Sequence, residues 1–242
     1  MCQTPSPVYL QLRDRLRAWI ESGKLSGEQK LPSERELSER FQTTRVTVRQ
    51  ALAQLEADGC IFRSNRRGWY LTPERLRYDP SQDLGFNHHV TEQGYTPRTE
   101  TLSRQLIEAP AWLGELSGLG QGAPIYHVFR RRYINQRAVL VEHNYINPAQ
   151  CPGLLSAKTE PSLWALLREA YGLHPAQREI EIYPLALKAT EAEALQVGQG
   201  AAGLYVQRLS HDQNGAFLAL DREYWLQDAL KIVVQVGERP TG

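Results

Sequence analysis

Basic and hydroxyl side chains follow one edge of the segment TTRVTVRQALAQLEADG, residues 43–59. Read as a helix, this segment has an apolar stripe with the spacing of a helix packed on a core, formed by Val48, Ala51, Leu52 and Leu55. The opposite edge carries Thr44, Arg45, Thr47, Arg49 and Gln50. Because a solvated helix face ordinarily mixes acids with bases, and no carboxylate occurs here until Glu56, this edge indicates an anionic partner.

A second group of charged residues lies in the segment PIYHVFRRRYI, which is predicted to be a strand. Side chains alternate along a strand, so Arg130 and Arg132 share one face and Arg131 takes the other. Two guanidiniums on one face repel each other unless a carboxylate or another anion lies between them. Glu142 and Asn144, across the predicted hairpin, are candidate partners, and so is a ligand phosphate or carboxylate. A surface strand pair with no ligand remains the alternative.

Composition limits the classes of protein to which the 242 residues can belong. The net charge is +1, but residues 1–80 hold 14 Lys and Arg against 10 Asp and Glu, so the two halves differ in sign. Cys2, Cys60 and Cys151 lack CxxC spacing, which argues against a disulfide framework and a structural zinc site. No apolar run approaches the ~18 residues of a membrane span. We therefore expect a cytoplasmic protein without membrane, metal or cofactor.

The first seventy residues predict a helix-turn-helix with a wing. An apolar helical face over residues 7–22 is followed by LPSERELSERF, in which Ser33 and Glu36 form a capping box. A short turn then leads into the basic helix of residues 43–59. After it, CIFRSNRRGWYLT reads as a basic hairpin with a turn at SNRRG. In a winged helix-turn-helix, such a helix reads the major groove and such a hairpin contacts phosphates or the minor groove.

Residues 7–72 resemble the DNA-binding domain of GntR-family repressors, on the motifs LPSERELSERF and TTRVTVRQALAQLEADG and the hairpin after them. The resemblance implies DNA contacts by Arg35, Thr44, Arg45, Thr47 and Arg49. The wing adds Arg66, Arg67 and Gly68 as candidates, although it departs from the family pattern of two glycines around a small polar residue. The structural alternative is that Arg45 and Arg49 only solvate their helix.

We predict an α+β protein with domains at 1–72 and 86–242, joined by a linker at 73–85 that contains two prolines and mixed charges. In the second domain, hairpins are predicted around Asn135-Gln136 and Asn214-Gly215, and a further strand at REIEIYPLAL. A helix is predicted at SLWALLREAYG, capped by Ser162. Strands in hairpins with helices between them indicate an antiparallel sheet.

Residues 86–236 resemble the UTRA effector-binding domain of the HutC subfamily, whose fold is chorismate-lyase-like. The motifs are F-x-x-x-V and G-Y-x-P near Phe86, R-x-R in the first hairpin, the S-L-W helix and A-x-x-A-x-x-L-x-V before a strand. The resemblance implies an effector pocket lined by Arg130, Arg132, Glu142, Ser162 and Trp164. Asp221 and Tyr224, on the last predicted strand, complete the candidates. In sugar-phosphate binders an acid often replaces Ala219, which leaves the class of anion open.

Together these features predict a ligand-responsive transcription factor. We expect a homodimer that represses from a near-palindromic operator in double-stranded DNA and is released by a small anion such as a phosphonate, phosphate ester or organic acid. Two alternatives stay open. One is an enzyme of chorismate-lyase-like fold fused to a DNA-binding module, although no nucleophile elbow or catalytic carboxylate pair stands out. The other is a nonspecific DNA-coating protein.

Overall fold

The chain forms two compact units, Met1–Glu74 and Arg75–Gly242. The computed structural model describes residues 6–23, 30–64, 68–82, 85–157 and 162–236. No helix within these ranges combines the length and apolar character needed to span a bilayer. Each unit has its own hydrophobic core, and together they give the predicted α+β class, which is confirmed.

The first unit is a winged helix-turn-helix. Its elements are α1 (Val8–Glu21), α2 (Glu34–Arg40), α3 (Arg45–Ala57), β1 (Ile61–Ser64) and β2 (Gly68–Leu71). The predicted apolar stripe of α3 is fully buried and packs with Leu16 of α1 and Leu37 of α2. Strands β1 and β2 pair antiparallel, with Ile61 opposite Leu71. The stripe therefore orients α3 so that its basic edge faces away from the core.

Side-chain caps fix where α2 and α3 begin. The capping box is present: Ser33 N–H donates to Glu36 Oε2 at 2.7 Å, and Ser33 Oγ accepts from Glu36 N–H at 3.3 Å. Thr44 caps α3 by accepting from Thr47 N–H at 3.2 Å. Because the caps fix these starts, the exposed edge of α3 has a defined orientation relative to α2.

The second unit is built on a six-stranded antiparallel sheet. The whole unit contains eight strands within the described residues, two of them outside this sheet. In chain order they are β3 (Leu76–Tyr78), β4 (Pro97–Glu108), β5 (Pro124–Ile134), β6 (Arg137–Ile146), β7 (Gln177–Ala186), β8 (Ala202–His211), β9 (Phe217–Leu226) and β10 (Leu230–Ile232). The large sheet has the order β4-β5-β6-β9-β8-β7, while β3 and β10 form a separate parallel pair. Both predicted hairpin turns are confirmed by β5–β6 and β8–β9.

Helices cover both faces of this sheet. They are α4 (Phe86–Glu92), α5 (Ala111–Ser117), α6 (Leu163–Tyr171) and α7 (Ala189–Leu195). Leu163 and Leu167 of α6 pack with Val128 and Ala219 on one face. On the other face, Arg131 donates to the Ala194 carbonyl of α7 at 2.8 Å. Ser162 caps α6 as predicted by accepting from Ala165 N–H at 3.2 Å, which places the beginning of α6 over the sheet face that carries Arg130.

Three residues in the first half of the predicted linker 73–85 form a strand. Residues 76–78 form β3, whose Leu76 and Tyr78 are buried and which pairs with β10. Prolines and mixed charges suggested a linker, but the pairing partner lies near the other end of the unit and no local pattern indicates it. The long edge strand β4 is also absent from the sequence prediction, although it pairs with β5 along almost its full length.

Candidate functional site

The candidate DNA-contacting edge of the first unit is exposed. Arg35, Thr44, Arg45 and Arg49 are exposed, and Thr47 is half-buried with its hydroxyl 2.9 Å from that of Thr44. The edge is not free of acid, because Glu34 of α2 lies 3.2 Å from the guanidinium of Arg49. The exposed edge offers hydrogen-bond donors and cations to an anionic surface, and the carboxylate of Glu34 competes with such a surface for Arg49.

The wing is only partly described. Arg66 and Arg67 lie outside the described residues, and Gly68 begins β2 with φ +105°, a backbone conformation that favours glycine. Beside it, Lys30 forms an isolated bridge to Tyr70 and its ammonium lies 5.9 Å from the Tyr70 ring centroid. Lys30 was not among the predicted DNA-contacting residues, because it precedes the helix-turn-helix motif and reaches the wing only through folding.

A cleft in the second unit brings together most of the predicted effector residues. Its empty space, including the part open to solvent, is about 700 Å³. The cleft is lined by Arg130, Arg132, Glu142, Ser162, Trp164 and Asp221. These side chains come from β5, β6, β9 and the beginning of α6, which shows how far apart in sequence the parts of the site are.

Two guanidiniums in the cleft share one carboxylate oxygen. Arg130 Nη2 lies 2.6 Å and Arg132 Nε 2.7 Å from Glu142 Oε1, and all three residues are buried. Burial and the neighbouring Arg132 lower the pKa of Arg130 to about 10, so it stays charged at neutral pH. Burial alone would raise the pKa of Glu142, but the two guanidiniums outweigh it and lower that pKa. This end of the cleft therefore holds an excess of one positive charge.

The carboxylate of Asp221 is held by neutral donors. Asn144 Nδ2 donates to Asp221 Oδ1 at 2.7 Å, and Trp164 Nε1 donates to Asp221 Oδ2 at 2.9 Å. Asn144 also accepts from Arg130 Nε at 3.1 Å, so it connects the two charged groups. This network orients the carboxylate beside the basic end, where a ligand hydroxyl or amine would meet it.

Tyr224 does not line the cleft, which corrects its place among the effector candidates. Along β9, Asp221 and Glu223 share one face, so Tyr224 projects to the other. There its ring contacts Tyr205 at 5.1 Å and His143 at 5.9 Å between centroids. Burial raises the pKa of its phenol, as expected for a packed side chain.

Several cleft residues were not predicted as site residues. They are Tyr78, Phe86, His89, Arg178, Arg208 and Trp225. Trp225 Nε1 donates to Glu223 Oε2 at 2.8 Å, and Arg208 forms an ion pair with Glu223 Oε1. Glu223, which shares the strand face of Ala219 and Asp221, also lines the cleft. The hairpin at Asn214-Gly215 could have placed Arg208 opposite Asp221, which is its partner in the observed register.

The described residues contain no group of three or more His, Cys, Asp and Glu side chains placed to hold a metal ion. Buried guanidiniums, carboxylates and indoles suit binding of a small polar molecule rather than covalent chemistry.

Comparison with known proteins agrees with this architecture. Residues 8–71 match bacterial regulatory proteins of the gntR family, and residues 92–231 match the UTRA domain. The transcriptional repressor NagR of Bacillus subtilis is 29% identical over 214 residues, 88% of each chain. The mannosyl-D-glycerate transport/metabolism system repressor MngR of Escherichia coli is 30% identical over 193 residues, 80% of each chain.

The fold is also found in a solved structure. PhnF from Mycobacterium smegmatis aligns with a TM-score of 0.65 and 23% identity, over 94% of this chain and 100% of that one. The relatives NagR and MngR are both repressors, so the alternative of a fused enzyme receives no support. The chain belongs to the GntR family of transcriptional regulators, with a helix-turn-helix domain in its first unit and a UTRA domain in its second.

Proposed function

We propose that this regulator is a cytoplasmic homodimer that represses transcription and leaves its operator when a small anion binds in the cleft of the UTRA domain. The observation that carries the proposal is the sharing of Glu142 Oε1 by Arg130 and Arg132. Two buried cations with one buried acid favour a further anion, because charge-assisted hydrogen bonds are strongest where water is excluded.

The DNA-reading role is assigned to α3. Its exposed Arg45 and Arg49, with the Thr44 and Thr47 hydroxyls, offer contacts to bases and phosphates, and Arg35 adds a contact from α2. Arg66, Arg67 and Gly68 extend the surface in the wing. Two copies related by a two-fold axis would place α3 in successive major grooves, which predicts a near-palindromic operator.

The effector is assigned by class. Phosphonates, phosphate esters and organic acids all present oxygens that suit Arg130, Arg132 and the Ser162 end of α6. The name of the relative MngR refers to mannosyl-D-glycerate, which contains a carboxylate, and this supports the inclusion of organic acids. Asp221 and Trp164 would bind the rest of such a molecule.

The cleft is connected to the DNA-binding domain through the chain itself. Tyr78 lines the cleft, and β3, to which it belongs, begins two residues after Glu74, where the first unit ends. A ligand shifts the regulator only if it binds one arrangement of the chain more tightly than another. An effector that binds more tightly to one position of Tyr78 meets this condition. Because Tyr78 belongs to the first strand after the DNA-binding domain, moving it changes the segment that joins the two domains.

The testing experiment combines a ligand screen with two variants. Purified protein is screened by thermal shift against phosphonates, phosphate esters and carboxylic acids, since a ligand of the native state raises the melting temperature. Hits are then tested for release of a duplex selected in vitro. Arg130→Ala should lose the ligand response and keep DNA binding, while Arg45→Ala should do the reverse. Loss of both activities in Arg130→Ala, together with a lower melting temperature, would show a structural role instead.

A further inference from the structure

A second recognition point lies at the end of the cleft formed by Tyr78, His89 and Arg208, which we call the Tyr78 end. Arg208 is 8% exposed, and one arm of its guanidinium forms the ion pair with Glu223. The other arm, Nη2, is buried without a hydrogen-bond partner among the described residues. His89 Nε2 is likewise buried and unpartnered within the described ranges. Buried polar nitrogens without hydrogen-bond partners are costly, so this end is built to receive a polar group.

The Tyr78 ring packs against both side chains. Its centroid is 5.4 Å from the Arg208 guanidinium carbon and 5.0 Å from the His89 ring centroid. Aromatic packing holds both side chains in place, with Trp225 at 6.1 Å as a further neighbour. The two unpartnered nitrogens are therefore fixed parts of the cleft wall.

The Tyr78 end is separate from the Arg130 and Arg132 pair. In the sheet order β5-β6-β9-β8, Arg208 lies three strands from Arg130, about 14 Å at backbone level. A single anion held by both Arg130 and Arg208 would also face the carboxylates of Glu142 and Glu223, which lie opposite each other on β6 and β9. A group bound at Arg208 thus belongs to the remote part of a longer molecule.

Charge indicates what kind of group this is. Arg130 and Arg132 share the one carboxylate of Glu142, an excess of one positive charge at that end, whereas Arg208 is balanced by its ion pair with Glu223. Burial and the nearby His88 lower the pKa of His89, which keeps it neutral at pH 7. One anionic group at the Arg130 end balances the excess. The group at the Tyr78 end is then best matched by a neutral oxygen.

The Arg208–Glu223 pair presents a donor beside an acceptor. A hydroxyl group can accept from Arg208 Nη2 and donate to the Glu223 carboxylate, which a carbonyl or an ether oxygen cannot do. We propose that Arg208 is a specificity-determining residue that reads a hydroxyl at the far end of the effector. The effector is accordingly a hydroxylated chain or ring with one anionic group, and this inference rests on the proposed anion site.

The experiment uses the full chain, isothermal titration calorimetry and three probes: inorganic phosphate, glycerol 3-phosphate and glucose 6-phosphate. The wild type should bind glucose 6-phosphate at least about tenfold more tightly than inorganic phosphate, because only the longer molecule reaches Arg208. Arg208→Lys keeps a cation for Glu223 but removes Nη2. It should lower the affinity for glucose 6-phosphate about tenfold and change that for phosphate less than about twofold.

Two further variants keep the test interpretable. Arg208→Met combined with Glu223→Gln removes both charges together, so no buried acid is left unpaired, and it should show the same selective loss. Arg222→Lys is the matched control: Arg222 is bound to the Tyr205 hydroxyl on the opposite face of the sheet, and the change should leave both affinities as they are. Melting temperatures confirm that each variant is folded.

The contradicting outcomes are distinct. If Arg208→Lys and the double variant weaken phosphate and glucose 6-phosphate equally, or neither, Arg208 does not read the remote group. If the wild type binds phosphate and Arg130→Ala abolishes that binding, the anion site stands. If glucose 6-phosphate then binds the wild type no more tightly than phosphate does, the hydroxyl site is refuted. If no probe binds the wild type, this inference fails, while the screen of phosphonates and carboxylic acids decides separately whether the anion site stands.

Discussion

Arg49 of α3 and Glu34 of α2 form an ion pair, with Arg49 Nη2 3.2 Å from Glu34 Oε2. The side chains are 68% and 24% exposed, so the pair is a weak surface interaction. It nevertheless engages a guanidinium that the proposed mechanism needs for DNA, and it places a carboxylate where phosphates would approach.

Glu34→Gln should therefore strengthen operator binding. Removing the acid frees Arg49 and reduces repulsion of phosphates, and surface pairs of this kind are worth about 0.2–1 kcal/mol, which corresponds to an affinity gain of up to about fivefold at low salt. Fluorescence anisotropy with a duplex selected in vitro measures it. Glu39→Gln removes an exposed acid from the same helix as a control. An equal gain in both variants would show a general charge effect unrelated to Arg49.

Glu142→Gln should destabilise the UTRA domain, because it leaves the buried guanidiniums of Arg130 and Arg132 without their shared carboxylate. Breaking a buried ion pair from one side costs about 3–5 kcal/mol, measurable by urea unfolding. Inorganic phosphate should raise the melting temperature of this variant more than that of the wild type. Glu179→Gln, at an exposed acid of β7, should change stability little. Unaltered stability of Glu142→Gln would mean that the two arginines do not depend on the carboxylate.

Stability should fall as the pH drops from about 6.5 to about 4, partly through His143. Burial, His127 and Arg222 lower the pKa of His143 to about 4, so the folded protein favours the neutral imidazole. This contribution to the free energy of unfolding is fully present above the pKa that His143 has in the unfolded chain. It is lost as the pH falls through the pKa that His143 has in the folded protein, a change on the order of 3 kcal/mol. Urea unfolding at a series of pH values should give a shallower acid slope for His143→Gln than for His88→Gln. Equal acid slopes in the two variants would contradict the assignment of this pH dependence to His143.

Trp164→Phe should weaken effector binding about tenfold, because it removes the donor that holds Asp221 Oδ2. Tyr224→Phe should leave binding unchanged, since that side chain lies on the opposite face of the sheet. The two variants are compared by the ligand-induced shift in melting temperature for any hit of the anion screen. A large effect of Tyr224→Phe would return that residue to the site.

Local chemistry accounts for what could be predicted from the sequence. The turn at Asn135 adopts φ +54° and Gly215 adopts φ +78°, conformations that these residue types tolerate and that form tight hairpins. The capping residues Ser33, Thr44 and Ser162 likewise act within one helical turn of themselves. The winged helix-turn-helix, both hairpins and the shared face of Arg130 and Arg132 follow from such short-range patterns.

Long-range pairing accounts for most of what was missed. The strand β3 depends on β10, and Arg208 enters the cleft only because β8 lies beside β9. The error at Tyr224 was different, because it lies three positions from Asp221 and strict alternation already puts the two on opposite faces.

The pairing of β3 with β10 also sets an order of events during synthesis. The strand directly behind the DNA-binding domain leaves the ribosome early, but its partner is among the last described segments of the UTRA domain to be made. The helix-turn-helix, with its own core, is free to fold first, as domains do when translation proceeds from the N-terminus. A nascent or truncated chain would therefore carry the exposed basic edge of α3 before the cleft of the UTRA domain is complete.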